Sequence, residues 1–218
     1  MEFFQIVLFT IGAYLIGSIP TGIWIGKLFY GIDIRDHGSG TACHLNIEQI
    51  MGRNTGIIVR ILDIIKGFLA AKLAFFIYLQ SGIFAEWEYP IMQMSFGLAA
   101  VMGHIFPVFA GYRGGKGYHV SLGILAAISP VATAVFALCA MVVFFVFRYP
   151  YLGAVIGALA LPFFIGFRPG IFGDKLIPMY VFTVLLSITL FLTHRLELRE
   201  ILYGRMTKVK RGPFGNWI

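Results

Sequence analysis

Charge is what this chain has least of. Only 12% of its 218 residues are Asp, Glu, Lys or Arg, about half the ~25% of a soluble domain. Set against 59% hydrophobic residues, that scarcity excludes an ordinary water-soluble globule, because one core cannot hide so much apolar chain. Cysteine is almost absent. Cys43 and Cys139 stand far apart, which excludes a disulfide-stapled secreted scaffold and leaves two expected free thiols. There is no internal repeat and no low-complexity tract, so solenoids, collagen-like chains and disordered linkers are excluded as well. Residues 1–9 lack the basic start and small-residue cleavage site of a removable signal peptide, and their apolar run is expected to continue into a first membrane span.

What is present is apolar sequence in long runs. The mean hydropathy is +0.85, and apolar segments fall at about 3–29, 56–79, 91–110, 118–128, 131–147, 151–166 and 178–193. The expected fold class is therefore an all-α integral membrane protein, a polytopic bundle of about seven transmembrane helices, with five as the alternative count. The fourth and sixth segments are shorter than the ~20 residues that cross a ~30 Å hydrocarbon core. Neighbouring helices would have to shelter them. Glycine and proline recur inside the spans, at Gly17, Pro20, Gly22, Gly103, Pro107, Gly123, Pro130 and Pro162, where small residues permit close helix contact.

The net charge of +7 finds its explanation in topology and calls for no nucleic-acid partner. With the N-terminus outside, Lys27, Arg35, Arg53, Arg113, Lys116, Arg148 and the six cations from Arg195 to Arg211 all fall on the cytoplasmic side, while Arg168 and Lys175 fall outside. Glu86 and Glu88 stand in a loop without Lys or Arg, as an external loop should. The N-terminus is thus read as outside and the C-terminus as cytoplasmic. Residues 1–193 form the membrane domain, and 194–218 a basic cytoplasmic tail.

Polar residues gather at three cytoplasmic places. In the first, Gly38-Ser39-Gly40 offers backbone N–H groups to an anion, a nest that is also compatible with a plain turn. In the second, Gly111-Tyr112-Arg113-Gly114-Gly115-Lys116-Gly117 sets glycines and two cations before a helix, where N–H groups, the positive helix end and an ammonium can converge on phosphate. It is no Walker A motif, because the first glycine is out of register and no Ser or Thr follows the lysine. The third is the tail from His194. Within the second span Asp63 and Lys66 stand three apart, able to pair across one turn; charges inside a span mark a functional interior or a structural ion pair. His104 has no histidine at i+4 and no acidic neighbour in sequence, so it reads as a packed hydrogen-bonding residue and no metal site is expected.

These motifs, in this order, resemble the PlsY family of bacterial membrane acyltransferases. The resemblance is carried by Gly17-Ser18-Ile19-Pro20-Thr21-Gly22, by Gly38-Ser39-Gly40 with Asn46 and Gly52, and by Val59, Asp63, Lys66 and Gly67. Gly103-His104 with Pro107, Phe109 and Gly111, then Gly114-Gly115-Lys116-Gly117, and His194 with Gly204 complete it. It extends over nearly the whole chain. It implies transfer of a fatty acyl group from acyl-phosphate to glycerol 3-phosphate, giving lysophosphatidate for phospholipid biosynthesis, at a cytoplasm-facing site in the bacterial plasma membrane.

The same resemblance implies catalytic roles for Ser39, Lys116 and His194, with His44 or His119 as local candidates for proton transfer. It implies substrate contacts from Gly38, Gly40, Asn46, Gln49, Lys66, Arg113, Gly114, Gly115 and Gly117. The implied partners are acyl-phosphate, a phosphorylated acceptor and membrane lipids; neither metal nor dissociable cofactor is implied. Against the family pattern this chain places Thr41, Cys43, His44 and Leu45 where Asn, Gly, Ala and Thr are usual, and Gln49 where an arginine holds phosphate. Tyr118 and His119 follow the lysine loop. Two alternatives therefore stand beside the main reading: a relative with another acceptor or donor, and a non-catalytic lipid-binding membrane protein.

Overall fold

A computed structural model describes residues 2–81 and 88–209. Among these residues the regular structure is entirely helical: α1 Glu2–Ser18, α2 Thr21–Ile25, α3 His44–Met51, α4 Arg53–Lys72, α5 Ala74–Ser81, α6 Glu88–Ile105, α7 Tyr118–Ile128, α8 Pro130–Phe147, α9 Pro150–Phe167 and α10 Leu176–Leu202. Helical stretches cover all seven apolar segments of the sequence. Four of them are long and apolar enough to cross a membrane: 88–110, 130–147, 150–167 and 173–202. A fifth span is possible if 3–18 and 21–30, bent by 42°, are one broken crossing. The helix α4 is long enough but carries too many charges, and α7 has only 11 residues. Glu86, Lys210 and Arg211, which entered the sidedness argument, lie outside the described residues. The two cysteines are free thiols.

The chain divides into two compact units, Met1–Pro130 and Val131–Ile218. In the first, close backbone contact does the packing. Gly17 of α1 lies against the Ala100 carbonyl of α6, and Gly103 of α6 against that of Tyr14. Gly67 of α4 meets the Val120 carbonyl of α7, and Gly123 of α7 that of Ile64. A methyl group at any of these would separate the helices, which is how membrane bundles gain dispersion contacts where water supplies no drive between spans. Held this way, α4 keeps a polar face inside the unit, and the short α7 is covered along its length.

The break between α1 and α2 follows from Pro20. Proline supplies no N–H and disfavours helical geometry in the residue before it. The Ile19 carbonyl, freed from the helical ladder, accepts from the Lys66 ammonium at 2.9 Å. Polar backbone at membrane depth is tolerated only with such a partner. After the break, α2 passes through a π-helical turn, Gly26–Tyr30, which ends on Gly31 in the left-handed region. Below the loops that follow, Ile23, Ile34, Ile47, Met51, Val59 and Ala110 form an apolar cluster that joins α2, α3 and α4.

In the second unit Gly153 and Gly157 of α9 pack on the Ala140 and Phe136 carbonyls of α8. The Ser187 hydroxyl of α10 donates to the Ala158 carbonyl of α9 at 2.7 Å. The helix α10 runs unbroken through position 194 to Leu202.

Candidate functional site

The first polar region is folded around one amide. Asn46, in the first turn of α3, is buried, and the two hydrogens of its Nδ2 are shared among the carbonyls of Ile34 (3.1 Å), His37 (3.0 Å) and Thr41 (2.9 Å). Its Oδ1 accepts from the Ser39 N–H at 2.9 Å. The whole amide is engaged in shaping residues 34–41, so Asn46 positions the Gly38–Gly40 loop. Gly38 has φ +57°, and a side chain there would run into the Asn46 Oδ1; only glycine fits. Ser39 is exposed at the tip, with its hydroxyl 3.0 Å from that of Thr41. Asn46→Ala strips all four bonds, and each lost bond to a buried backbone group costs about 1 kcal/mol. The expected result is a fall of roughly 2–4 kcal/mol in stability with impaired acceptor binding, measured as a lowered thermal midpoint and a raised KM.

A second set of bonds ties this loop to the next. Asp33 accepts from the Arg35 N–H, Nε and Nη2 at 3.1, 3.0 and 2.7 Å, and from Lys27 at 3.2 Å. The Arg35 guanidinium holds the Asp33 carboxyl well below the usual carboxylate range, and Asp33 in turn raises the Arg35 pKa. The remaining guanidinium nitrogen, Nη1, reaches the Ala110 carbonyl at 2.6 Å. This clamp fixes the turn before the lysine loop to the turn before the serine loop.

The lysine loop itself rests on His104. Gly114 and Gly115 donate to the Ile105 and His104 carbonyls at 3.2 and 3.1 Å, and Gly115 lies against the His104 Nε2, leaving no room for a Cβ. On its other side the His104 Nδ1 stands 3.8 Å from the Asp63 Oδ1. That oxygen also accepts from Lys66 at 2.8 Å and from the Thr21 hydroxyl at 2.7 Å. Asp63 and Lys66 are each 5% exposed, so the pair foreseen from spacing is real and fully desolvated. Through His104 it supports the backbone that carries Lys116. Gly117, at φ +88°, opens α7, and its carbonyl accepts from the Ser121 hydroxyl at 2.8 Å.

Two histidines close the arrangement. His44, first residue of α3, and His119, in the first turn of α7, meet edge to face with ring centroids 4.3 Å apart. Tyr118 meets His119 edge to face at 4.9 Å, and the Cys43 sulfur lies 3.8 Å from the His44 Nδ1. The starts of α3 and α7, and with them the serine and lysine loops, are therefore neighbours. Helix starts carry partial positive charge, and Lys116, half-buried between Gly115 and Gly117, adds a full one. Such a place suits a phosphate group.

The first unit thus gathers Ser39, Gly38, Gly40, Asn46, His44, Lys66, Gly114, Gly115, Lys116 and Gly117. Gln49 and Arg113 are exposed on its surface. His194 belongs to the second unit, 2% exposed, with its Nδ1 2.8 Å from the Leu190 carbonyl and its ring 5.9 Å from that of Tyr151. Of the supports, Thr21 stands in the Gly17–Gly22 string, Arg35 among the cytoplasmic cations and His119 just after the lysine loop, but nothing local in the sequence announced their positioning contacts, and Asp33 carried no signal at all.

A family model described as "Glycerol-3-phosphate acyltransferase" matches residues 7–204. The chain belongs to the glycerol-3-phosphate acyltransferase family. Glycerol-3-phosphate acyltransferase of Chlorobium phaeobacteroides is 33% identical over 222 residues, covering 92% of this chain and 94% of the relative. That of Enterococcus faecalis is 35% identical over 215 residues, covering 95% and 94%. Among solved structures, PlsY, an integral membrane glycerol 3-phosphate acyltransferase, matches in its glycerol 3-phosphate form. The TM-score is 0.81 with 30% identity, covering 94% of this chain and 96% of that one. Its lysophosphatidic acid form gives 0.79 with 29% identity, covering 97% of each chain. The resemblance read from the glycine and lysine motifs is that of the family.

Proposed function

We propose that this membrane protein transfers a fatty acyl group from acyl-phosphate to the 1-hydroxyl of glycerol 3-phosphate, giving lysophosphatidate and inorganic phosphate. The observation that carries the reading is the contact of His44 with His119, which sets the starts of α3 and α7 side by side and supports one anion-binding place built from the Ser39 and Lys116 motifs. Family membership supplies the substrate class.

In this reading Lys116 and the N–H groups of the glycine loops hold phosphate and offset the negative charge that develops on the carbonyl oxygen. Preorganised charge of this kind supplies much of the rate in acyl and phosphoryl chemistry. Ser39, at the loop tip held by Asn46, orients a phosphate oxygen. The acceptor hydroxyl attacks the acyl carbonyl, its proton passes to a phosphate oxygen or to His44, and inorganic phosphate leaves. Arg113 and Gln49, both exposed, are assigned to phosphate contact, and His194 keeps the catalytic role that the resemblance implies. Glutamine at 49 gives the acceptor a neutral partner in place of a fixed cation.

Seven crossings, an outside N-terminus, a cytoplasmic C-terminus and a cytoplasmic site complete the proposal. Residues 1–193 are the membrane body and 194–218 a basic tail, and charge asymmetry supports that orientation. The test measures phosphate release by the purified protein from a long-chain acyl-phosphate, with glycerol 3-phosphate and with a panel of other alcohols. Turnover is expected with glycerol 3-phosphate. Turnover with another alcohol alone would replace the acceptor, and no release under any condition would make the chain a lipid binder without catalysis.

A further inference from the structure

The second unit carries an open groove of about 270 Å3 between α9 and α10, lined by Leu152, Phe191, Leu198 and Leu202, with Arg195 and Arg199 among its walls. The two arginines are four residues apart and share a helix face. At 1.5 Å per residue the 27 residues of α10 extend about 40 Å, longer than a ~30 Å hydrocarbon core. The uncharged stretch of α10 ends at Thr193, so Arg195 and Arg199 stand at headgroup depth. Past them the helix still shows apolar surface: Leu202 is 85% exposed and Tyr203 64%. The lining is almost wholly apolar, so Arg195 and Arg199 contribute their stems to it; arginine stems that lie along hydrocarbon can carry their charged heads out beyond its edge, and together these are the two halves of an amphiphile's site.

The chain beyond α10 strengthens the charge. Gly204 turns it through a left-handed residue, Arg205 N–H donates to the Glu200 carbonyl at 2.9 Å, and Val209 N–H reaches the Arg148 carbonyl at 3.2 Å. Arg205 and Arg199 lie over the Tyr203 ring at 5.0 and 6.0 Å, and Lys208 over Tyr149 at 5.8 Å. Arg195, Arg199, Arg205 and Lys208 therefore collect at one end of the α9–α10 pair, against Glu197 and Glu200. Glu200 is turned to Arg205 at 3.8 Å.

We infer that this groove holds an anionic phospholipid of the bilayer, with an acyl chain against Phe191 and Leu198 and the phosphate on Arg195 and Arg199. The site rests on the membrane reading of the chain and uses none of the residues assigned to acyl transfer. Arginine suits it better than lysine, because a planar fork meets two phosphate oxygens at once.

The experiment counts lipids that remain on the full-length protein, purified from vesicles of equal phosphatidylglycerol and phosphatidylcholine, by native mass spectrometry. At least a fivefold preference for phosphatidylglycerol is expected, reduced to parity in R195Q/R199Q. Acyl transfer by that variant is expected to stay within twofold, which also reports its folding. On the unaltered protein the preference is expected to fall as salt rises from 0.1 to 1 M, since a partly exposed phosphate contact is screened. No preference in the unaltered protein, a preference that survives R195Q/R199Q, or one insensitive to salt each overturns the site. A variant that keeps its lipids while the KM for acyl-phosphate rises also overturns it, because the groove would then hold the donor's chain. If the double variant fails to fold, the salt series alone decides.

Discussion

Lys116→Ala is expected to lower kcat about 100- to 1000-fold while leaving the fold intact. Removing one preorganised donor to a developing oxyanion costs about 3–4 kcal/mol of transition-state stabilisation. Lys116 is the cation placed between the glycines of the loop, and the loop's shape comes from its backbone bonds to His104 and Ile105, which the substitution leaves in place. Acyl-phosphate turnover measured beside the thermal midpoint separates the two effects. An unchanged midpoint with activity reduced to that degree is the expected pair. Lys116→Arg keeps the charge but not the shape of an ammonium, and should recover only part of the rate. Activity within threefold for Lys116→Ala would remove the lysine loop from the chemistry.

The second large effect concerns folding. Lys66→Met leaves the Asp63 carboxylate 5% exposed without its ammonium and removes one of the two donors to the Ile19 carbonyl at the α1–α2 break, leaving the Thr21 N–H. Breaking one side of a buried ion pair costs about 3–5 kcal/mol, here enough to lower the apparent thermal midpoint by roughly 10 °C. The double variant D63L/K66M removes both charges and should regain most of that loss, since a buried pair and a well-packed apolar pair are nearly equivalent. Activity need not return with stability. The Asp63 oxygen also faces His104, on which Gly114 and Gly115 rest, so a stable double variant with a displaced loop should show a raised KM. Full recovery of stability and of KM together would make the pair purely structural.

Much of the candidate site was readable before any coordinates, for a local reason. Glycines beside a serine and beside a lysine announce backbone N–H groups near polar side chains within a few residues. The spacing of Asp63 and Lys66 likewise fixes their pairing, because positions three apart share a helix face. Asn46 was readable as a site residue, but its office was not: all four of its amide bonds run to residues 5 to 12 positions away, a distance at which no periodicity operates. The contact between His44 and His119, 75 positions apart in the chain, left no trace in either motif.

The sequence by itself determined that the chain is helical and belongs in a membrane, because composition and run length decide the solvent a segment can tolerate. It also determined which glycine and lysine motifs carry the family, since those are local strings. Only the tertiary structure decided that His44 and His119 bring the starts of α3 and α7 together, that Arg35 clasps one turn to the other, and that His104 sits between a glycine backbone and a buried carboxylate. The physical reason is that these are contacts of close packing, set by where α3, α4, α6 and α7 touch. Such contact is a property of shapes in three dimensions, and no pattern along one strand of residues encodes it separately.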